Sequence, residues 1–163
     1  MRRIIRRREI VEDELRYAGE PMTAGTVAAQ TVADWIAAAG SASAPAAVVL
    51  SATDEVDALG PHLHQVRWIV IEFAKIGEGR GYSQARMLRQ RYRYAHQLRA
   101  RGAIKRDHLF FLARCGCDAF DLDPFEDLAA SLAAFNSFSV ACQGGEDAVV
   151  SVRRRTFAAP LSG

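Results

Sequence analysis

Two hydrophobic periods alternate along this chain, and together they predict a run of strand–helix units. Residues 2–17 place short apolar pairs, Ile4-Ile5 and Ile10-Val11, on either side of Arg6-Arg7-Arg8. That pattern predicts a β-hairpin with a basic tip. From Thr26 to Ala39, Val27, Val32, Trp35 and Ile36 recur at helical spacing and Gly40 follows, which predicts an amphipathic helix and its stop. Ser41 to Pro45 reads as a small-residue loop, and Ala46 to Leu50 as a short buried strand. A short helix is expected around Glu55 to Leu59, ended or redirected by Pro61.

Trp68 to Phe73 opens with four apolar residues in a row and predicts a second buried strand. Ser83 to Tyr94 follows as a helix, with Met87, Leu88 and Tyr92 or Tyr94 on its apolar side and Arg86, Arg89, Arg91 and Arg93 facing water. His96 to Ala100 is a third strand, Arg106 to Cys115 a helix stopped by Gly116, and Asp118 to Leu122 a fourth strand. Pro124 stands near the start of a helix running to about Asn136. Phe138 to Cys142 and Val149 to Val152 are expected to pair as a hairpin, and Arg153-Arg154-Arg155 begins a frayed tail.

Consecutive βα units with tight turns call for parallel strands joined by right-handed crossovers. About four such units run from Val48 to Asn136, after an N-terminal hairpin. The expected architecture is α/β, either half of a (β/α)₈ barrel or a flavodoxin-like open sheet. The whole chain, 1–163, is expected to be one domain: hairpin at 1–20, βα core at 46–142, tail at 153–163. A half-barrel leaves raw edges, which would favour homodimerisation or a covering N-terminal hairpin.

Composition narrows the partners. Half the residues are hydrophobic, a quarter are charged, and the net charge is +2. This is globular rather than disordered and argues against a nucleic-acid binder, even with Tyr82, Tyr92 and Tyr94 beside arginines. Lysine occurs only at Lys75 and Lys105; the other cations are arginine. Three cysteines, an odd number, point to a reducing compartment. No secretory signal or membrane span is evident, so a cytoplasmic location is expected.

Both architectures put chemistry at the carboxyl ends of the strands. There the sequence brings Ser51 and Asp54, then Glu72, Lys75, Arg80 and Ser83, then Arg99, Arg101, Lys105, Arg106 and Asp107, then Asp121 and Asp123. The turn Gly79-Arg80-Gly81-Tyr82-Ser83 is the sharpest feature. Glycines let successive N–H groups point at one spot, a helix N-terminus adds partial positive charge, and Arg80 with Arg86 would clamp an oxyanion. The plainer alternative is a loop whose glycines only turn the chain and whose Ser83 only caps a helix. Neither a P-loop nor a complete GxGxxG is present, since Gln84 stands where the third glycine would be. Glu72 and Lys75 would form an acid/base pair or a structural ion pair. Cys115-x-Cys117 with Cys142 falls short of a zinc or iron–sulfur ligand set.

The runs EFAKIGEGRGYSQARMLRQRY (72–92) and HQLRARGAIKRDHLFFLARCGCDAFDL (96–122) resemble the bacterial family DUF934. Its members are commonly labelled oxidoreductases involved in sulfite reduction. The family pattern falls here on Glu72, Phe73, Gly79-Arg80-Gly81, Ser83, Arg86, Leu98-Arg99, Gly102, Arg106-Asp107, Leu109-Phe110, Arg114-Cys115-Gly116 and Asp118-Ala119-Phe120. This chain has His108 where the pattern usually has Gln, and Cys117 where it has a large apolar residue. The latter argues against CxC as a shared metal or redox motif.

The resemblance implies an accessory protein of assimilatory sulfite reduction, binding sulfite reductase or a small anionic ligand. It makes Gly79, Arg80, Gly81, Ser83, Arg86, Arg99, Arg106 and Asp107 the expected anion contacts. Two alternatives remain. One is a half-barrel enzyme using Glu72 and Lys75 on an oxyanion substrate. The other is an atypical oxidoreductase whose flavin or nicotinamide cofactor has no motif in the sequence.

Overall fold

The computed structural model describes residues 2–39, 45–75, 77–136, 140–141 and 150–151. Eight strands form one sheet: β1 (Arg3–Arg6), β2 (Glu9–Glu12), β3 (Leu15–Arg16), β4 (Val27–Thr31), β5 (Ala47–Leu50), β6 (Trp68–Phe73), β7 (Gln97–Gly102) and β8 (Ala119–Asp121). Among the described residues four α-helices accompany them: α1 (Val32–Ala38), α2 (Arg80–Gln90), α3 (Arg106–Arg114) and α4 (Leu128–Leu132). The fold is mixed α/β, with parallel βα units and an N-terminal hairpin.

The spatial order is β2-β1-β8-β7-β6-β5-β4-β3. From β3 to β8 every neighbouring pair is parallel and consecutive in sequence. The order never reverses, so the topological switch point of a doubly wound flavodoxin-like sheet is absent from it. The hairpin joins through an antiparallel β1–β8 pairing that matches Ile5 with Phe120. Its turn residues Arg7 and Arg8 have φ of 49° and 66°, the left-handed pair that a two-residue hairpin turn requires.

Chain connectivity forces this sheet to curl. The outermost strands β2 and β3 are separated only by Asp13 and Glu14. Three Cα steps reach at most about 11 Å, whereas eight strands laid flat would span about 34 Å. The two edges therefore meet at one seam, and the sheet has an inner and an outer face.

The outer face is apolar and covered by helices. Ile69, Ile71 and Phe73 of β6 and Leu98 and Ala100 of β7 share one core with Ala85 and Leu88 of α2, Leu109 and Leu112 of α3, and Phe135. The alternate residues of the same strands point inward. There Trp68 and Val70 form a second, smaller cluster with Leu15, Tyr17, Ala29 and Ala47.

Several elements depart from the pattern reading. Residues 27–31 are strand, not helix; the predicted helix contracts to α1. Thr31 is its N-cap, with Oγ1 accepting from the Asp34 N–H at 3.2 Å. Alanines at 28 and 29 carry little strand signal, and pairing with β3 and β5 decides the matter. Val56–Ala58 and Gly60–Gln65 are 3₁₀ turns rather than an α-helix, with Pro61 inside the second. α2 starts at Arg80, three residues earlier than expected, so Ser83 lies within the helix and caps nothing. α4 is capped by Asp127, whose carboxylate accepts from the Ala129 and Ala130 N–H groups, and Pro124 belongs to the preceding turn. Val140–Ala141 and Val150–Ser151 pair parallel, not as a hairpin. The expected loop at 41–44, Cys142 and the tail from residue 152 lie outside the described residues.

Candidate functional site

Residues that face the inside of the curl at neighbouring positions on β6, β7 and β8 are charged. Register sets Glu72 beside Arg101 and Arg101 beside Asp121, so three side chains meet across three strands. Arg101 Nη1 donates to Glu72 Oε1 at 3.0 Å, and its Nε lies 3.5 Å from Asp121 Oδ2. One level deeper, β7 supplies Arg99, which is fully buried.

Arg99 is matched by the seam. Its Nη1 donates to Asp13 Oδ1 at 2.7 Å and to the Tyr17 hydroxyl at 3.3 Å. Asp13 also accepts from Arg2 at 2.5 and 2.8 Å and from the Leu15 N–H at 2.9 Å. Nε and Nη2 of Arg99 are buried with no hydrogen-bond partner. The Tyr17 ring carries two guanidiniums, Arg101 at 3.7 Å and Arg2 at 4.9 Å from its centroid. Such stacking holds planar cations with little conformational freedom.

The electrostatics follow from burial and pairing. Burial alone would raise the Asp13 pKa; the Arg99 charge, the Leu15 N–H and the bonds from both guanidiniums outweigh it and hold the carboxyl below its ordinary value. Burial pushes the Tyr17 hydroxyl up to about 12, against the pull of Arg99. Asp121 is raised, because burial outweighs the attraction of Arg2, Arg99 and Arg101. Asp13 is thus firmly ionised at neutral pH.

Above this buried layer, at the carboxyl ends of β6, β7 and β8, opens a cleft of about 980 Å³. Its floor includes Glu72, Arg101 and Asp121. Arg3 lines it from β1 and Arg2 from just before that strand, and Asp123, Glu126 and Asp127 from the β8–α4 connection. This is the end of the sheet where the sequence places the site.

The predicted residues divide. Glu72 lies in the cleft but pairs with Arg101 rather than with Lys75, which is exposed beyond the strand end. Arg99 is in the buried pair, not on the rim. Arg80, the first residue of α2, is half-exposed and pairs with Glu55 of the β5–β6 connection. Gly81 has a packing duty: a Cβ there would stand 2.5 Å from Phe73 Cζ and 3.0 Å from Ile71 Cγ2, so only glycine lets α2 approach β6 this closely. Gly79 is the residue before α2, with ordinary φ. Ser83 and Arg86 are exposed on α2; Arg106 and Asp107 are exposed at the start of α3, 3.7 Å apart.

The loop after β5 is internally satisfied. Asp54 Oδ2 accepts from Ser51 N–H and Oγ, while Gln84 Nε2 donates to the Ser51 and Asp54 carbonyls. Gln84, at the missing third glycine, is a buried strut between α2 and this loop.

Sequence reasoning missed Arg2, Asp13 and Tyr17. They lie in the hairpin and just past it, where charge reads as a solvated tip. A signal did exist: Leu98-Arg99-Ala100-Arg101 alternates charge within a strand that must be covered on both faces.

Cys115 ends α3 and Cys117 is buried, its thiol pKa raised mainly by burial. Among the described residues no three His, Cys, Asp or Glu side chains are grouped to hold a metal ion. Among them, too, no helix is long and apolar enough to cross a membrane.

A family model described as "Bacterial protein of unknown function (DUF934)" matches residues 47–152. The match takes in β5 to β8 and the β8–α4 wall of the cleft, and leaves Arg2, Asp13 and Tyr17 outside it. No curated protein matches the chain.

Proposed function

The chain belongs to the DUF934 family of bacterial proteins, and from that premise we propose that it is an accessory protein of assimilatory sulfite reduction which binds a small oxyanion-bearing ligand in the cleft above β6, β7 and β8. The observation that carries the binding role is Arg101. It stands partly exposed on the cleft floor, stacked on Tyr17 and steadied by Glu72 and Asp121. A guanidinium held in place before the ligand arrives loses little entropy on binding and matches the planar fork of an oxyanion. The finer reading of the fold is half of a (β/α)₈ barrel with a hairpin lying against its last strand, and such folds bind ligands at this end.

The tie to sulfite chemistry and to sulfite reductase comes from the family resemblance. The Arg80 turn is the weaker candidate for the ligand. Arg80 does not line the cleft, and Gly81 is accounted for by packing. That leaves the turn free to serve as an outward contact to the reductase.

Calorimetric titration with sulfite, with Arg101→Gln and Arg80→Ala as paired variants, tests the assignment. Binding is expected to vanish in Arg101→Gln and to persist in Arg80→Ala; the reverse pattern would move the site to the turn. Pull-down of sulfite reductase by the same two proteins tests the partner. Loss of capture with Arg80→Ala alone is the expected result, and no capture even by the unaltered protein would remove the reductase from the proposal.

A further inference from the structure

The carboxylates of the inner network are held unequally. Asp13 accepts from the Arg99 and Arg2 guanidiniums and from the Leu15 N–H. Glu72 accepts from Arg101, and Glu20 from Arg2. Asp121 is different. Its side chain is only 10% exposed, and its Oδ2 lies 3.5 Å from Arg101 Nε and 3.8 Å from Arg2 Nε. Those are ion contacts; no hydrogen bond reaches either carboxylate oxygen among the described residues.

A buried carboxylate without donors is the kind that protonates most readily. Arg99 and Arg101 of β7 and Arg2 from just before β1 favour the charge on Asp121, while Asp13 of the β2–β3 link opposes it. Glu72 of β6 competes for the same Arg101, and Asp123, Glu126 and Asp127 line the same cleft. Burial outweighs the three guanidiniums and raises the carboxyl above its ordinary value. Asp121 also stands on the cleft floor, opposite Arg101 in the β7–β8 register. An oxyanion arriving at Arg101 adds a negative charge beside a carboxylate already short of donors. Like charges sharing a site push one of the groups to take a proton. A neutral carboxylic acid then has an O–H to donate, and an oxyanion is its natural acceptor.

We propose that Asp121 is a ligand contact: it meets the oxyanion at Arg101 as a neutral carboxylic acid, donating its O–H, so that binding takes up one proton. This rests on the reading above that Arg101 is the anion contact. It also accounts for an anion binding where Arg101 already faces two carboxylates, since one of them turns from a competitor into a donor. The sign of the linkage follows. The bound anion lifts the Asp121 pKa further. Affinity is therefore flat above the bound-state value, rises as pH falls toward the free-state value, and levels off below it. Arginines alone would give no such slope, because their charge does not change in this range.

Methanesulfonate, an oxyanion of fixed charge, is the probe, titrated calorimetrically into the full-length protein from about pH 8 to about pH 5. Affinity is expected to rise by up to about tenfold per pH unit within the window. Repeating the titration in buffers of different ionisation enthalpy should count up to one proton taken up per anion. Asp121→Asn keeps a neutral donor of the same shape and is expected to bind with the low-pH affinity throughout, without the slope. Asp121→Ala should also lose the slope, and bind about tenfold more weakly than Asp121→Asn, the worth of one hydrogen bond to a charged group. Carbon-13 NMR of the Asp121 carboxyl reads the same proton in the unaltered protein. Its titration should move to higher pH when methanesulfonate is added.

A flat pH profile with Arg101 still required overturns the role of Asp121 and leaves the oxyanion site standing. A slope that survives in Asp121→Asn, or an unmoved carboxyl titration, overturns it as well. No binding of methanesulfonate at any pH also overturns it, and the Arg101 reading then stands or falls with sulfite.

Discussion

Successive residues of β7 live in two different environments. Leu98 and Ala100 point outward into the shared apolar core with α2 and α3. Arg99 and Arg101 point inward, one wholly buried against Asp13, the other reaching the cleft floor. The outer face is held by apolar burial, which is forgiving of direction and sensitive to volume. The inner face is held by a few charged contacts, which are sensitive to the loss of a single partner. The difference is a division of labour: the outer face holds the sheet on its helices, and the inner face holds the seam and fixes the Arg101 guanidinium at the cleft.

The largest test of this contrast lies at the seam. Asp13→Ala strands Arg99 as a buried charge and is expected to cost about 3–5 kcal/mol in urea unfolding. Asp13→Leu combined with Arg99→Met is expected to recover most of that. A loss from Asp13→Ala below about 1 kcal/mol would mean that the inner face is wet and the contrast mistaken. Next comes Leu88→Ala on the outer face, expected to cost about 2–5 kcal/mol as a cavity forms. It should leave ligand affinity unchanged once the protein is folded. Gly81→Ala is expected to cost about 1–3 kcal/mol through overpacking against Phe73, a value that a purely conformational role for glycine would not reach.

The pH dependence sets one face against the other. Asp13 has a depressed folded-state pKa, so its stabilisation is complete above the ordinary carboxylate range. It is lost as pH falls through the folded value. Tyr17 is raised to about 12, so its contribution is complete below the ordinary tyrosine value of about 10. That part disappears as pH climbs toward 12. Unfolding measured at both extremes should show both arms; Asp13→Asn should flatten the acid arm and Tyr17→Phe the alkaline one. Outer-face variants should shift the whole curve without changing its shape. The smallest effect is expected from Arg80→Ala, whose partly exposed pair with Glu55 should change stability by no more than about 0.5 kcal/mol.

Legibility in the sequence followed the same division. β6 and α3 were recoverable to within a residue, because unbroken apolar runs and helical periodicity report the outer core directly. β4 was not, because Val27 to Thr31 also fits the start of the amphipathic pattern that continues through Trp35. The carboxyl ends of β6 to β8 were identified as the site region, and Glu72 was placed there. Arg101 and Asp121 were named at the same end, and the structure sets them beside Glu72 in one cleft. Gly79-Arg80-Gly81 looks like a ligand cradle on local pattern, but Gly81 is needed for helix–strand contact, a cause visible only once α2 lies on β6. Asp13 and Tyr17 reach Arg99 and Arg101 only because the sheet curls, and no window of consecutive residues contains that information.

The seam at Asp13–Glu14 also has a consequence for assembly in time. β1 emerges from the ribosome early, yet its partner β8 lies more than a hundred residues later, at the Ile5–Phe120 pairing. Until β8 is made, the hairpin has one edge unmatched. Contacts this distant along the chain slow the search for the native state, and exposed strand edges invite wrong partners meanwhile. The basic tip and acidic flank of the hairpin, unhelpful for locating the ligand, would serve in that interval as gatekeepers against edge-to-edge association.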